Sequence, residues 1–259
     1  MSMSEEIAIE IRQLSYQYGR VKALDRLDLN IAQAKIFALL GPNGSGKSTL
    51  FRLLSTVEIY QQGSILLFGR QLRDEPMRAR AMMGVVFQSP ALDGKLTVKE
   101  NLTMQGVLYG LAGTKLANRI EETTQQLKLR SRLDDKVGIL SGGLKRRVEL
   151  AKGMLHRPKL LLMDEPSTGL DPQSRLDWWE SLRALQAEQG VTVCLTTHLL
   201  DEADKADQIA ILDAGRNVAS GAPESLKEQL GSQVLTVQAA TTQSVLNWLS
   251  DMQVTAELC

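Results

Sequence analysis

Residues 36–54 constrain this chain more tightly than any other stretch. The apolar run Ile36-Phe37-Ala38-Leu39-Leu40 leads into Gly41-Pro42-Asn43-Gly44-Ser45-Gly46-Lys47-Ser48-Thr49, and the helix-forming Leu50-Phe51-Arg52-Leu53-Leu54 follows. Five successive apolar residues ending in glycine read as a strand buried on both faces, which is the habit of parallel sheets. A glycine-rich loop between such a strand and a helix turns its backbone N–H groups and the helix N-terminus toward one point, where an anion is welcome. The spacing is that of the phosphate-binding loop (Walker A), so Gly41 to Thr49 form the candidate nucleotide cradle. Lys47 would neutralise the β and γ oxygens of a nucleotide, and the Ser48 hydroxyl would reach magnesium.

Other short apolar runs repeat the pattern at Val85-Val86-Phe87, Leu160 to Met163, Val191 to Leu195 and Ile209 to Leu212. They predict an α/β fold with a parallel sheet. Upstream, Ile7, Ile9 and Ile11 and then Leu27, Leu29 and Ile31 alternate with polar residues, which suggests antiparallel strands with one wet face and a turn region at Tyr16, Tyr18 and Gly19. Thr97-Val98-Lys99-Glu100 is a capping box. From there to about Arg157, Leu102, Val107, Leu111, Leu116, Ile120 and Leu127 keep helical spacing, so residues 89–157 read as a helical subdomain inserted into the sheet domain. Residues 222–259 read as a small α/β appendage, with a short helix near Pro223, a β-prone Val234 to Val237 and a helix-like Val245 to Leu249. The abrupt end at Cys259 raises the expectation that this appendage is truncated.

Leu160-Leu161-Leu162-Met163-Asp164-Glu165 sets two carboxylates at the carboxyl end of a buried strand, the edge where α/β sheets bind ligands. Asp164 is the expected magnesium ligand. Glu165, one residue on and expected to point the other way, is the candidate base or water-orienting group for attack on the γ-phosphate. With the loop, the pair defines a nucleotide hydrolase.

Leu140-Ser141-Gly142-Gly143-Leu144-Lys145-Arg146-Arg147, just ahead of that strand, resembles the signature motif of ABC ATPases. By itself, Ser141 before two glycines is a helix cap and an anion site. The family usually has glutamine where Leu144 stands, which weakens any hydrogen bond assigned there and leaves the Ser141-Gly142-Gly143 core intact. The resemblance covers about Ile9 to Gly221 and implies a P-loop NTPase (RecA-like) core with an N-terminal antiparallel β subdomain and an inserted α-helical subdomain, the ABC ATPase domain spanning residues 5–221. It implies that Tyr18 stacks on adenine, with Tyr16 as fallback, and that Gln88 is a hinge residue reaching magnesium and the attacking water. His198 would sense the γ-phosphate and steady the catalytic carboxylate. Ser167-Thr168-Gly169-Leu170-Asp171 resembles the loop that signals between two nucleotide sites, although Asp171 could instead cap a helix beside Pro172. ATP and Mg²⁺ are the implied cofactors. The implied partners are membrane permease subunits and a second ATPase subunit, a copy of this chain or a related one.

Composition closes off other classes. Thirty basic and 30 acidic residues cancel, so no overall attraction to nucleic acid is expected. Two cysteines, Cys194 in an apolar run and Cys259 at the end, do not make a disulfide framework. Met1 to Glu10 carries Glu5 and Glu6 and has no signal-peptide pattern, and no apolar stretch approaches the roughly 18 residues of a membrane span. The chain is therefore expected at the cytoplasmic face of a membrane, held through its permease. Long heptad insertions, zinc cysteines, a second cassette and an Asn-Lys-x-Asp motif are all missing, which leaves an iron–sulfur assembly scaffold as the alternative to a transporter motor. Phe87 to Asp93, Leu96 to Leu102 and His198 to Asp204 are similar to exporter ATPases of the drug-resistance type. Asp201-Glu202-Ala203-Asp204 spells a helicase tetrad but lacks a strand of its own and reads as the acidic start of a helix. His156 reads as structural. Trp178 and Trp179, with Leu176, Leu182 and Leu185, read as an amphipathic helix with core packing. The loop Ser89 to Gly94, followed by Met104, Val107, Leu108 and Leu111 at helical spacing, is the expected permease-docking surface.

Overall fold

A computed structural model describes residues 6–229. Alternation in the first 32 residues yields two long antiparallel strands, β1 (Ile7–Tyr18) and β2 (Val21–Ala32). Tyr16 and Tyr18 belong to β1, so the turn is confined to Gly19 and Arg20, later than the sequence suggests. The alternation is also reset: Gln13, at φ 48°, interrupts the register, so Ile9 and Ile11 point inward before it and Leu14 and Tyr16 after it. β4 (Gln62–Leu67) and β5 (Arg70–Gln71) complete this sheet in the order β2-β1-β4-β5.

The buried runs form the second sheet. β3 (Ile36–Leu40), β6 (Met83–Val86), β7 (Leu160–Asp164), β8 (Thr192–Thr197), β9 (Gln208–Asp213) and β10 (Arg216–Gly221) lie in the order β10-β9-β3-β8-β7-β6. All neighbours are parallel except the β9–β10 hairpin. Alternate residues of its central strands, Phe37, Leu39, Leu160, Leu162, Cys194, Ala210 and Leu212, share one core with Ile9, Ile11, Leu14 and Leu27 of the antiparallel sheet. Between the sheets lies α1 (Lys47–Leu54), which buries Leu50, Phe51, Leu53 and Leu54. Each such side chain removed from water contributes about 1.5–3 kcal/mol. The helix following the glycine loop is therefore fixed on both sides.

α2 (Pro76–Met82) leads into β6. The helical segment then holds α3 (Val98–Leu108), α4 (Gly113–Gln126) and α5 (Gly142–Met154), with no strand among them. The capping box forms in full: Thr97 Oγ1 accepts from the Glu100 N–H at 3.1 Å, and Glu100 accepts from the Thr97 N–H at 2.7 Å. α6 (Pro172–Gln189) buries Trp178, Trp179, Leu182 and Leu185, whereas Leu176 is exposed and takes no part in that face. α7 (Leu200–Ala203) is a single turn. Its Glu202 is 1% exposed and accepts from Thr197 Oγ1 at 2.6 Å, so this acid is a buried partner rather than a solvated dipole acid. The chain divides after Pro223, the first residue of α8 (Pro223–Gln229), and of its second unit Glu224 to Gln229 are described. The expected strand at Val234 and helix at Val245 lie outside the described residues.

The glycine loop is braced from behind. Gly46 sits at φ 105°, and a Cβ there would come within 2.6 Å of the Ala23 carbonyl. The Gly215 N–H donates to the Ser45 carbonyl and the Asp25 N–H to the Gly215 carbonyl, both at 3.0 Å. Asp25 also binds Lys22 at 2.8 Å and the Arg216 guanidinium at 2.9 Å, and these hydrogen bonds hold its carboxyl down to about 2 against the cost of burial. An unfolded aspartate titrates at about 3.9. The folded value is the lower one, so this brace stabilises the fold above the unfolded value and is lost as pH falls toward about 2. Asp25→Asn should lower the melting temperature at neutral pH, and between about pH 4 and pH 2 it should melt with a shallower pH dependence than the parent chain. Parallel melting curves would show that the brace does not titrate.

Candidate nucleotide site

The glycine loop, Asp164, Glu165 and the groups on them meet at the carboxyl edge of the parallel sheet. Lys47, the first residue of α1, is 4% exposed, and its Nζ donates to the carbonyls of Gly41 at 2.7 Å and Pro42 at 2.9 Å. Burial pulls its pKa below the ordinary lysine value, while the charges of Glu165 and Asp164 oppose that shift. Ser45 is buried with a hydroxyl that has no hydrogen-bond partner among the described residues, and Ser48 and Thr49 follow Lys47 in α1. Gly44, Asn43 and Pro42 form the exposed rim of the loop.

Asp164 closes β7 and Glu165 follows at φ 43°, in the left-handed region that a non-glycine residue rarely occupies. The step from one carboxylate to the next is therefore a sharp backbone turn. Thr196 of β8 ties the turn together: its Oγ1 donates to Asp164 Oδ1 at 2.6 Å and accepts from the Glu165 N–H at 2.9 Å. Burial raises the Asp164 pKa, Glu165 adds to the rise, and Thr196 and Lys47 counter it. Three side chains converge on the Glu165 carboxylate. Gln88 Nε2 and Thr168 Oγ1 donate to Oε2 at 3.3 Å each, and His198 Nδ1 lies 3.4 Å from Oε1.

Tyr18 is 42% exposed, whereas Tyr16 is 8% exposed and donates to Glu58 at 3.1 Å, so the fallback aromatic is committed to the core. The two rings meet edge to face at 4.9 Å. Ser141 caps α5 by accepting from the Leu144 N–H at 3.4 Å, and Gly142 and Gly143 form the first turn. α1 packs on β2, β7 and β8, while α5 packs on α3, α4, α6 and β6. Ser141, Gly142 and Gly143 thus stand on a different part of the chain from Lys47. Asp171 caps α6 through the Ser174 N–H at 2.9 Å. His156 Nε2–H donates to the Met83 carbonyl at 2.9 Å and its ring stacks on Tyr109 at 3.7 Å, which is a structural role.

The matching family model is that of the ABC transporter, over residues 24–168. The chain belongs to the ABC transporter family. It is an ATP-binding subunit that hydrolyses ATP. This ABC subunit is 41% identical over 234 residues to the daunorubicin resistance ATP-binding protein DrrA2 of Streptomyces coeruleorubidus, covering 90% of this chain and 72% of that protein. It is 38% identical to the Nod factor export ATP-binding protein I of Rhizobium sp. (strain N33), covering 93% and 80%. Among solved structures, cbiO1 from Clostridium perfringens matches with TM-score 0.82 and 28% identity over 87% of this chain and 92% of that one. A dimeric structure of MJ0796, a bacterial ABC transporter cassette, matches with TM-score 0.74 and 26% identity, covering 83% and 98%. Both named curated relatives are resistance or export proteins, in line with the exporter resemblance, and none of these findings supports the assembly-scaffold alternative. No helix among the described residues is long and apolar enough to cross a membrane.

Sequence reasoning missed Thr196, one of three threonines in β8 with nothing local to set it apart from Thr192 and Thr197. Thr196→Val removes one donor and one acceptor from a part-buried turn, and each group left unsatisfied costs about 1–3 kcal/mol. The variant should unfold at lower denaturant and hydrolyse ATP more slowly, with the acid limb of its pH–rate profile moved to higher pH as Asp164 loses the bond that lowers its pKa. Parent-like stability and turnover would remove Thr196 from the site.

Proposed function

We propose that this subunit drives export through partner permease subunits, using ATP held on the Gly41 to Thr49 loop. The observation that carries the mechanism is the convergence of Gln88, Thr168 and His198 on the Glu165 carboxylate. Tyr18 offers an exposed ring for the adenine, as stacking requires. The loop N–H groups and Lys47 take the phosphates, with the Lys47 ammonium exchanging the Gly41 and Pro42 carbonyls for phosphate oxygens. Ser48, Asp164 and Gln88 present a hydroxyl, a carboxylate and an amide, the hard oxygen donors that suit magnesium, and Asp164 is a part-buried carboxylate whose raised pKa reflects poor solvation. Held by these groups, Mg²⁺ would supply positive charge to offset that of the phosphates.

In this reading Glu165 accepts a proton from water as its oxygen bonds to the γ-phosphorus and the bond to the ADP oxygen breaks. Gln88 and Thr168 hold the carboxylate that receives the proton. His198 uses Nδ1 toward Glu165, which leaves Nε2 for a γ-phosphate oxygen. Ser141, Gly142, Gly143 and Asp171 are assigned to the nucleotide of a second ATPase subunit, because α5 packs on α3, α4, α6 and β6 while α1 packs on β2, β7 and β8, because the loop ending at Asp171 resembles one that signals between two nucleotide sites, and because MJ0796 forms a dimer. Leu144 gives that contact no side-chain hydrogen bond. We assign residues 5–221 to the ATPase domain, 222–259 to an appendage, and the subunit's place to the cytoplasmic face of the membrane. The permease contact is assigned to Ser89 to Gly94 and to Met104, Val107 and Leu108, which are 59%, 59% and 81% exposed. Leu111 is buried and packs within the subdomain.

Glu165→Gln should bind ATP as the parent does and lose about 10²- to 10⁴-fold in turnover, since an amide holds the water without accepting its proton. A loss under about threefold would move the base to another residue.

A further inference from the structure

Gln88 lies in the irregular loop between β6 and α3, and one face of α5 grips that loop by its backbone. Arg146 donates to the Phe87 carbonyl at 2.9 Å and to the Gln88 carbonyl at 2.5 Å. The same guanidinium pairs with Glu149 at 2.7 Å, and the other Glu149 oxygen accepts from the Ala91 N–H at 2.8 Å. Lys152, a further three residues on, donates to the Ala91 carbonyl. Arg146 and Glu149 are 6% and 5% exposed. Two charges taken out of water are costly unless their remaining donors and acceptors are used, and here they are used on the main chain of the Gln88 loop. At the root of the loop, Gly84 of β6 lies so close to the Gly153 carbonyl of α5 that a side chain would not fit. Strand, loop and helix are therefore registered to one another.

We propose that Arg146 and Glu149 are positioning residues that set Gln88 against Glu165 and make its place follow α5, the helix that Ser141 caps. The inference rests on the assignment of Gln88 as a group orienting water and magnesium. The hydrogen bonds of Arg146 and Glu149 run to each other and to the backbone at residues 87, 88 and 91, so their action passes through that backbone. A displacement of about 1 Å in a positioned group is enough to cost 10²-fold in rate.

The test uses the full chain and compares kcat and KM for ATP in Arg146→Lys, Arg146→Met/Glu149→Gln, Gln88→Ala and the combination of the last two. Arg146→Lys keeps the charge beside Glu149 but replaces a two-armed fork by one ammonium. It should fold normally and lose several-fold in kcat. The double variant leaves no lone buried charge and should lose about 10- to 100-fold in kcat with KM nearly unchanged, since the residues that bind ATP are not altered. Combined with Gln88→Ala it should be no slower than Gln88→Ala alone, as expected for groups acting as one unit. Should Gln88→Ala be slow while both Arg146 variants stay within about twofold of the parent chain, the positioning role is wrong and the Gln88 assignment stands. If Gln88→Ala turns over normally, the assignment fails and takes the inference with it. Losses that multiply in the combination, or that fall on KM instead of kcat, also overturn it.

Discussion

A lysine ammonium kept almost out of water is the constraint around which this molecule is organised. Lys47 is tolerated there because two loop carbonyls accept from it and because the charges of Asp164 and Glu165 lie close enough to oppose its loss of a proton. Those carboxylates must in turn be held where burial raises the Asp164 pKa, and Thr196 does this from the neighbouring strand. The loop, the strand-end acids and the β8 hydroxyl thus form a set in which each charge depends on the next. The sheet order follows from the same need, since β3, β8 and β7 are adjacent and bring all three to one edge.

Rigidity is distributed unevenly around that set. Behind the loop, Asp25, Arg216 and the Gly215 backbone tie the β9–β10 hairpin to β2 and to Ser45. In front of it, Gln88 hangs on a loop whose main chain is held by Arg146, Glu149 and Lys152 from α5. The first arrangement fixes the phosphate cradle to the core. The second hands one of the groups on Glu165 to the helical segment, so that motion of α5 would reach the Glu165 carboxylate through a short, hydrogen-bonded path.

Local chemistry was legible in the sequence where adjacent residues make it. Gly41 to Thr49, Asp164 with Glu165 and the Thr97 capping box announce themselves because their partners lie within a few positions. What was not legible depends on partners far along the chain. Thr196 meets Asp164 across 32 positions, and Arg146 meets Gln88 across 58; the run that contains Arg146 marks a motif but not the distant loop it holds. The reset at Gln13 hid which tyrosine faces the core, since Tyr16 and Tyr18 share a parity and only packing distinguishes them. Residues 56–82 gave little signal because β4 begins with Gln62-Gly63-Ser64 and β5 is two residues long. Glu202 misled for a related reason: an acid at the start of a helix looks solvated until a buried Thr197 hydroxyl is found opposite it.

The central claim is that this nucleotide site is completed by a second ATPase subunit. Mixing Lys47→Ala chains with Ser141→Arg chains and measuring ATP turnover tests it, because a two-fold pair gives two equivalent sites from one surface. The account predicts that each variant alone is inactive and that the mixture recovers activity, since a mixed pair holds one intact site beside one doubly damaged site. A mixture as inactive as either variant, at concentrations where the chains are shown to pair, would place both motifs within one chain and contradict the account.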